Sequence, residues 1–207
     1  LIPFPMASPL IGAEAPRIFI GYDPREEVAV NVLTDSLQAH ASVPVLIAQV
    51  RLDQLAGVYT RPRDPKQSTD FSFSRFLVPF LAGYQGWALF IDADMLCLGD
   101  IAELWAHRDE RYAVQVVKHR HECEEGLKFQ GMPQTPYERK NWSSVVLFNC
   151  GSCRQLTPER VNTASGLELH QFRWLDDDAI GTIPPEWNVL VGVQAIPPQP
   201  KVLHYTL

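Results

Sequence analysis

Apolar residues in this chain cluster into short dense runs, separated by polar segments rich in proline and glycine. Arg17 to Tyr22 (RIFIGY) has the β-branched and aromatic make-up of a short buried strand. Asp23-Pro24-Arg25-Glu26-Glu27 follows, with an N-cap aspartate, a proline at the first helical position and acids in the first turn. Val28, Val32, Leu33 and Leu37 then recur at helical spacing and predict a helix to about His40. Val43 to Val50 reads as a second strand, and Phe71 to Ala82 as a helix stopped by Gly83 and Gly86. Ala88 to Ile91 is a third strand, Ile101 to His107 a short helix, Tyr112 to Val117 a fourth strand and Val145 to Phe148 a fifth. Asp176 to Ile180 opens a predicted helix, and Trp187 to Val193 is a predicted strand. The polar stretch His119 to Ser144 is expected to be a loop able to form an acceptor-binding flap.

Strands alternating with helices imply an α/β sandwich on a mostly parallel central sheet. In open sheets of this kind, ligands bind outside the carboxyl ends of the strands. Tyr22-Asp23, Asp92-Ala93-Asp94 and Asn149 all fall at predicted strand ends, as does Lys118. That coincidence is the first functional signal in the chain.

A length of 207 residues favours one domain, expected to span 17–207 behind a disordered arm or appended remnant at 1–16. The opening stretch is apolar but carries four prolines and no basic residue before Arg17, unlike a signal peptide. No apolar run approaches the roughly 20 residues that cross a bilayer. A net charge of −6 argues against a nucleic-acid partner, though not against a small phosphorylated ligand in a local basic pocket. Four cysteines are too few for a secreted disulfide framework, and a cytoplasmic, reducing setting is expected. Cys150-Gly-Ser-Cys153 lacks the second CxxC or CxxH of a zinc site and the surroundings of a redox motif, so it reads as structural. Nothing in the pattern specifies an oligomeric state.

Candidate chemistry centres on WALFIDADMLCLGD, Trp87 to Asp100. A charge is costly to bury unless it is neutralised, and here an apolar strand ends on two aspartates one residue apart. Such carboxylates can turn toward one hard cation, magnesium or manganese, which prefers oxygen ligands and is often shared with substrate phosphates. The plain alternative is a solvated strand end or a helix cap. Phosphohydrolases of the haloacid-dehalogenase type also use a strand ending in DxD, with its first aspartate as nucleophile. Their motif sits near the domain start and continues into a small turn, whereas here Met95-Leu96-Cys97-Leu98 follows.

The wider context resembles a GT-A glycosyltransferase of the retaining family 8 type. STDFSFSRFLVPFLAGYQGWALFIDADMLCLGDIAELW, Ser68 to Trp105, is similar to the family's arginine-bearing helix leading into its DxD strand. Ser144 to Gly151 resembles the hFNxG segment, Leu175 to Gly181 with Pro184 to Asn188 resembles DQDxhN…hPxxWN, and Val202 to Thr206 resembles hhHFxG. The chain departs from the pattern at Asp177, where the family has glutamine, and at Gly181, where it has asparagine. The resemblance implies a GT-A α/β/α sandwich that moves a sugar from a nucleotide diphosphate, UDP-linked, to a carbohydrate or other small acceptor with retention. It implies Mn2+ or Mg2+ held by Asp92, Asp94 and His204. Tyr22, Asp23, Arg75, Ala93 and Lys118 are then expected to join the two aspartates against the donor. Arg75, Asn149 and Asp177 are the expected catalytic positions. The alternative function is a catalytically silent nucleotide-sugar or glycan-binding domain.

Overall fold

Residues 15–64, 67–119 and 139–206 are described by a computed structural model of the chain. The expected arm lies almost wholly outside them, as does most of the expected flap. The chain opens with β1 (Arg17–Gly21) and a 3-10 turn, Pro24–Glu26, whose N-cap is Asp23 as the sequence predicts. Helix α1 (Glu27–His40) then packs back on the sheet, and β2 (Leu46–Val50) follows. The buried stripe of α1 is Val30, Leu33 and Leu37, while Val28 and Val32 face outward. Its true periodicity starts two residues later than the valines suggested.

The predicted helix from Phe71 is three short pieces: α2 (Phe71–Ser74), a 3-10 turn at Arg75–Leu77, and α3 (Val78–Leu81). Proline lacks an amide hydrogen and clashes with the preceding turn, so Pro79 is tolerated only near the start of a helical piece. It sits at that position in α3. Then come β3 (Trp87–Ile91), β4 (Met95–Cys97), α4 (Ile101–Ala106), β5 (Val114–Val116) and β6 (Val145–Asn149). Asp100 caps α4, accepting from the Ala102 amide at 3.0 Å. After α5 (Pro158–Thr163) and α6 (Gly166–His170), the chain adds β7 (Ile180–Thr182), β8 (Val189–Leu190) and β9 (Val202–His204). A helix predicted from Asp176 is instead a single 3-10 turn, Asp177–Ala179, running into β7. Position 181 in that strand holds glycine where a Cβ would come within 2.5 Å of the Tyr112 ring.

Six strands form the central sheet in the order β2-β1-β3-β6-β5-β7. The β2–β1, β1–β3 and β5–β7 pairs are parallel, and only β6 runs against its neighbours. β3 and β6 are buried along their whole length, as expected of strands covered on both faces. A second sheet, β4-β9-β8, stands beside the carboxyl end of β3. Its register sets Met95 opposite His204, and the Tyr205 amide donates to the Asp94 carbonyl at 2.9 Å. Two residues far apart in sequence are thereby placed side by side. No helix among the described residues is long and apolar enough to cross a membrane.

Candidate active site

Because β1, β3 and β5 point the same way, their carboxyl ends share one edge of the sheet. Asp92 follows β3 at that edge, and its amide donates to the carbonyl of Ser144, the residue that enters β6. Asp92, Ala93 and Asp94 open onto a cleft of about 1080 Å3, also lined by Glu26, Arg75, Ser143 and His204. One ligand-capable atom from each of Asp92, Asp94 and His204 lies within 4.8 Å of the others.

The electrostatics of this group are unbalanced. Arg75 is buried, with Nη1 2.8 Å from Asp92 Oδ1, an ion pair lacking the alignment of a hydrogen bond. Two Arg75 hydrogen bonds go to backbone carbonyls: Nη1 donates to that of Ser143 at 2.9 Å and Nε to that of Phe71 at 3.4 Å. Asp92 Oδ1 and Asp94 Oδ1 are both buried without a hydrogen-bond donor. His204 Nε2 lies 3.4 Å from Asp94 Oδ1. Burial, partly offset by Arg75 and reinforced by Asp94, pushes the Asp92 carboxyl up to about 6. Two carboxylates against one guanidinium leave a net negative charge in a poorly solvated place, which is unfavourable without a further cation. Two orphaned carboxylate oxygens and one imidazole nitrogen are a donor set that suits Mn2+ or Mg2+.

Other expected residues divide into those the fold brings here and those it does not. Lys118 follows β5 at the same edge but is not among the residues lining the cleft: its Nζ donates to the Ile180 carbonyl at 2.7 Å, and burial lowers its affinity for the proton. Asp177 is exposed and pairs with Arg139, which lines the cleft. Tyr22 is buried, its ring 4.0 Å from the Arg51 guanidinium, and Asp23 is wholly buried. The Asp23 carboxylate is fully engaged: it accepts from the Arg25 amide and side chain and, at 3.0 Å, from the Asp70 amide. It therefore ties the cleft-lining segment near Asp70 to the end of β1, and its side chain does not face the cleft.

Asn149 corrects the expectation most sharply. It does end a strand, but β6 is antiparallel, so its carboxyl end lies opposite Trp87 at the start of β3. There Asn149 Nδ2 donates to Glu110 Oε2 at 3.0 Å, on the edge away from the aspartates. The place beside Asp92 belongs to the residues entering β6, Ser143 and Ser144. Ser143 Oγ lies 2.8 Å from Nδ1 of His170, whose proton affinity burial lowers to about 3, so that imidazole is neutral. Ser144 Oγ, Asn188 and His204 form a buried hydrogen-bonded series. Glu26 also faces the cleft, its carboxyl raised by burial and by the nearby Asp94. The polar preface to β6, Trp142-Ser143-Ser144, carried the available signal, but only a reader who knew the strand direction could use it.

A mostly parallel sheet with one reversed strand, a carboxylate pair ending a central strand and a histidine from a side sheet define a GT-A glycosyltransferase. The sequence profile of glycosyl transferase family 8 matches residues 22–153. The chain belongs to that family. It is 49% identical over 199 residues to Protein CDI of Arabidopsis thaliana, covering 92% of this chain and 77% of that protein. Among solved structures, the glycosyltransferase GlyE of Streptococcus pneumoniae TIGR4 superposes with a TM-score of 0.60 at 13% identity. That match covers 94% of this chain, which spans only 55% of GlyE. The galactosyltransferase LgtC, solved with donor and acceptor sugar analogues, gives a TM-score of 0.57 at 14% identity over 91% of this chain and 86% of LgtC. At these identities the two structures establish the fold alone.

Proposed function

We propose that this domain transfers a sugar from a UDP-linked donor to a carbohydrate or other small acceptor, with retention at the anomeric carbon. The observation that carries the reading is the cluster of Asp92, Asp94 and His204 at the cleft, with two buried carboxylate oxygens lacking donors. Asp92 and Asp94 would each offer an oxygen, and His204 its Nε2, to manganese or magnesium. Bound there, such an ion supplies Lewis-acid stabilisation of the charge that develops on a departing diphosphate. The chain's own part is to hold that charge in register. Arg75 fixes Asp92 and keeps the pair from repelling an anionic donor outright. Ala93, buried between the aspartates, lets the donor approach the backbone. The Arg139–Asp177 pair offers charge and hydrogen bonds to the sugar side of the cleft, and Lys118 adds charge from outside its lining. Tyr22 and Asp23 act at one remove, by shaping the end of β1 and the Asp70 segment.

In the transfer, the bond between the anomeric carbon and the diphosphate oxygen breaks and a bond to the acceptor oxygen forms. The acceptor proton passes to the departing phosphate oxygen on the same face of the sugar. Asp177 would favour the cationic sugar through its carboxylate. Buried thiols at Cys97 and Cys153 support a cytoplasmic setting.

Calorimetry with UDP, with and without manganese, tests the reading. Metal-dependent UDP binding is expected, followed by turnover of a UDP-sugar whose product keeps the donor's α configuration by NMR. Absence of nucleotide binding with metal present would overturn it. Binding without turnover of any UDP-sugar would leave a silent nucleotide-sugar domain, and a β-linked product would reject retention.

A further inference from the structure

We propose that Ser144 and Asn188 are positioning residues that hold His204 as its Nδ1–H tautomer, with the Nε2 lone pair aimed into the aspartate pair. The inference deepens the metal-site reading above and rests on it for its consequence, but the tautomer stands on hydrogen bonding alone.

Four groups lie in series. Ser144 Oγ is 2.7 Å from the Asn141 carbonyl, Asn188 Nδ2 is 2.8 Å from Ser144 Oγ, and His204 Nδ1 is 3.0 Å from Asn188 Oδ1. Ser144, Asn188 and His204 are all buried, so water does not compete for these contacts. The direction of the series is fixed at its far end. A carbonyl only accepts, so the contact with Asn141 consumes the single hydroxyl proton of Ser144. Ser144 Oγ must then accept from its next neighbour, and only the amide nitrogen of Asn188 can donate. That orientation turns Asn188 Oδ1, an acceptor, toward His204. Nδ1 must therefore carry the ring proton, leaving Nε2 as a lone pair.

The near end agrees. Asp94 Oδ1 lies 3.4 Å from Nε2 and has no hydrogen-bond donor, an arrangement compatible with a lone pair on Nε2. Reversing the amide would aim an Nε2 proton at Asp94 and close the gap without any ion. It would also deprive Asn141 of the serine proton. Hydrogen bonds to the distal nitrogen of a ligand histidine fix its tautomer and ring orientation, and losing them typically lowers metal affinity 10–100-fold. Asn188 thus lies outside the cleft wall but decides what the cleft offers.

The experiment uses the full chain stripped of metal. Long-range 15N–1H correlation of histidine side chains at pH 8.5 is expected to place the His204 proton on Nδ1. A proton on Nε2 would overturn the proposal, whether or not the protein binds metal. Manganese titration by calorimetry then reads the consequence: Asn188→Leu is expected to weaken binding by about 10–100-fold. Asn188→Asp, which keeps an acceptor toward Nδ1, should restore affinity to within a few-fold. Ser144→Ala, a milder change should Asn188→Leu fail to fold, is expected to weaken binding several-fold and to mix the tautomers. Unchanged affinity and tautomer in a folded Asn188→Leu or Ser144→Ala would also overturn it. A wild-type protein that binds no manganese would refute the metal-site reading instead, leaving the tautomer measurement to decide this one.

Discussion

The two edges of the central sheet handle carboxylates in opposite ways. At one edge Glu110 receives the Trp87 indole at 2.8 Å and the Asn149 amide at 3.0 Å, so both its oxygens are occupied. At the other, Asp92 and Asp94 each bury an oxygen without an aligned hydrogen-bond donor, and a single guanidinium, that of Arg75, lies against the first. Both edges place acids near strand ends, yet only one leaves electrostatic work undone. An unsatisfied buried carboxylate is unfavourable by itself, so its persistence points to a ligand. Strand direction assigns the roles: β3 delivers its carboxyl end to the cleft, and β6 delivers its amino end there.

The largest test of this contrast is Arg75→Met. Asp92 would lose its buried cationic neighbour, and breaking such a pair costs about 3–5 kcal/mol. Denaturant unfolding of metal-free protein should show that loss, with part of it recovered on adding manganese. Asp94→Ala comes next and should weaken metal-dependent nucleotide binding by about 100-fold or more, roughly 3 kcal/mol. Calorimetric affinity equal to wild type would remove Asp94 from the site. A third test is pH. The folded Asp92 pKa near 6 exceeds the unfolded value of 3.8, so the native state holds its proton more tightly between those values. Stability attributable to Asp92 in metal-free protein is therefore fully present below pH 3.8 and lost as pH rises through 6. Protons and the cation compete for the same oxygen, so manganese affinity should fall about tenfold per pH unit below 6. Titrations at pH 5 and 7 check this, and a flat profile would contradict it. The smallest effect is expected at the opposite edge, where Asn149→Ala should cost about 1 kcal/mol in stability. Its manganese and nucleotide affinities should stay within about twofold of wild type.

Much of this fold is legible in the sequence because dense runs of large apolar residues specify β1, β3 and β6 almost residue by residue. The cluster of Asp92, Asp94 and His204 was legible through the family resemblance, which pairs the DxD with a distant histidine. Less accessible were β4, β7 and β9, three residues each, too short for a period of two to stand out. Asp177 illustrates the limit: an acidic triplet looks like a helix start, but β5 offers a sheet edge that recruits Ile180–Thr182 as a strand. Asn149 illustrates another. A residue's place at a strand end is written locally, whereas the edge it occupies depends on pairing with a strand some sixty residues away. Asn188 is visible as a residue and invisible as a role, because its meaning lies in the partners on either side.

Strand β9 is held by three residues of pairing to β4 and two to β8. Strands paired over so few residues open readily, and their amides exchange with solvent through local opening. A cation shared by Asp94 and His204 would close a ring containing more than half of the chain, and would act there as a removable clasp. Docking and loss of β9 would then follow the supply of metal, and the exchange rate of the His204 amide would record each fastening.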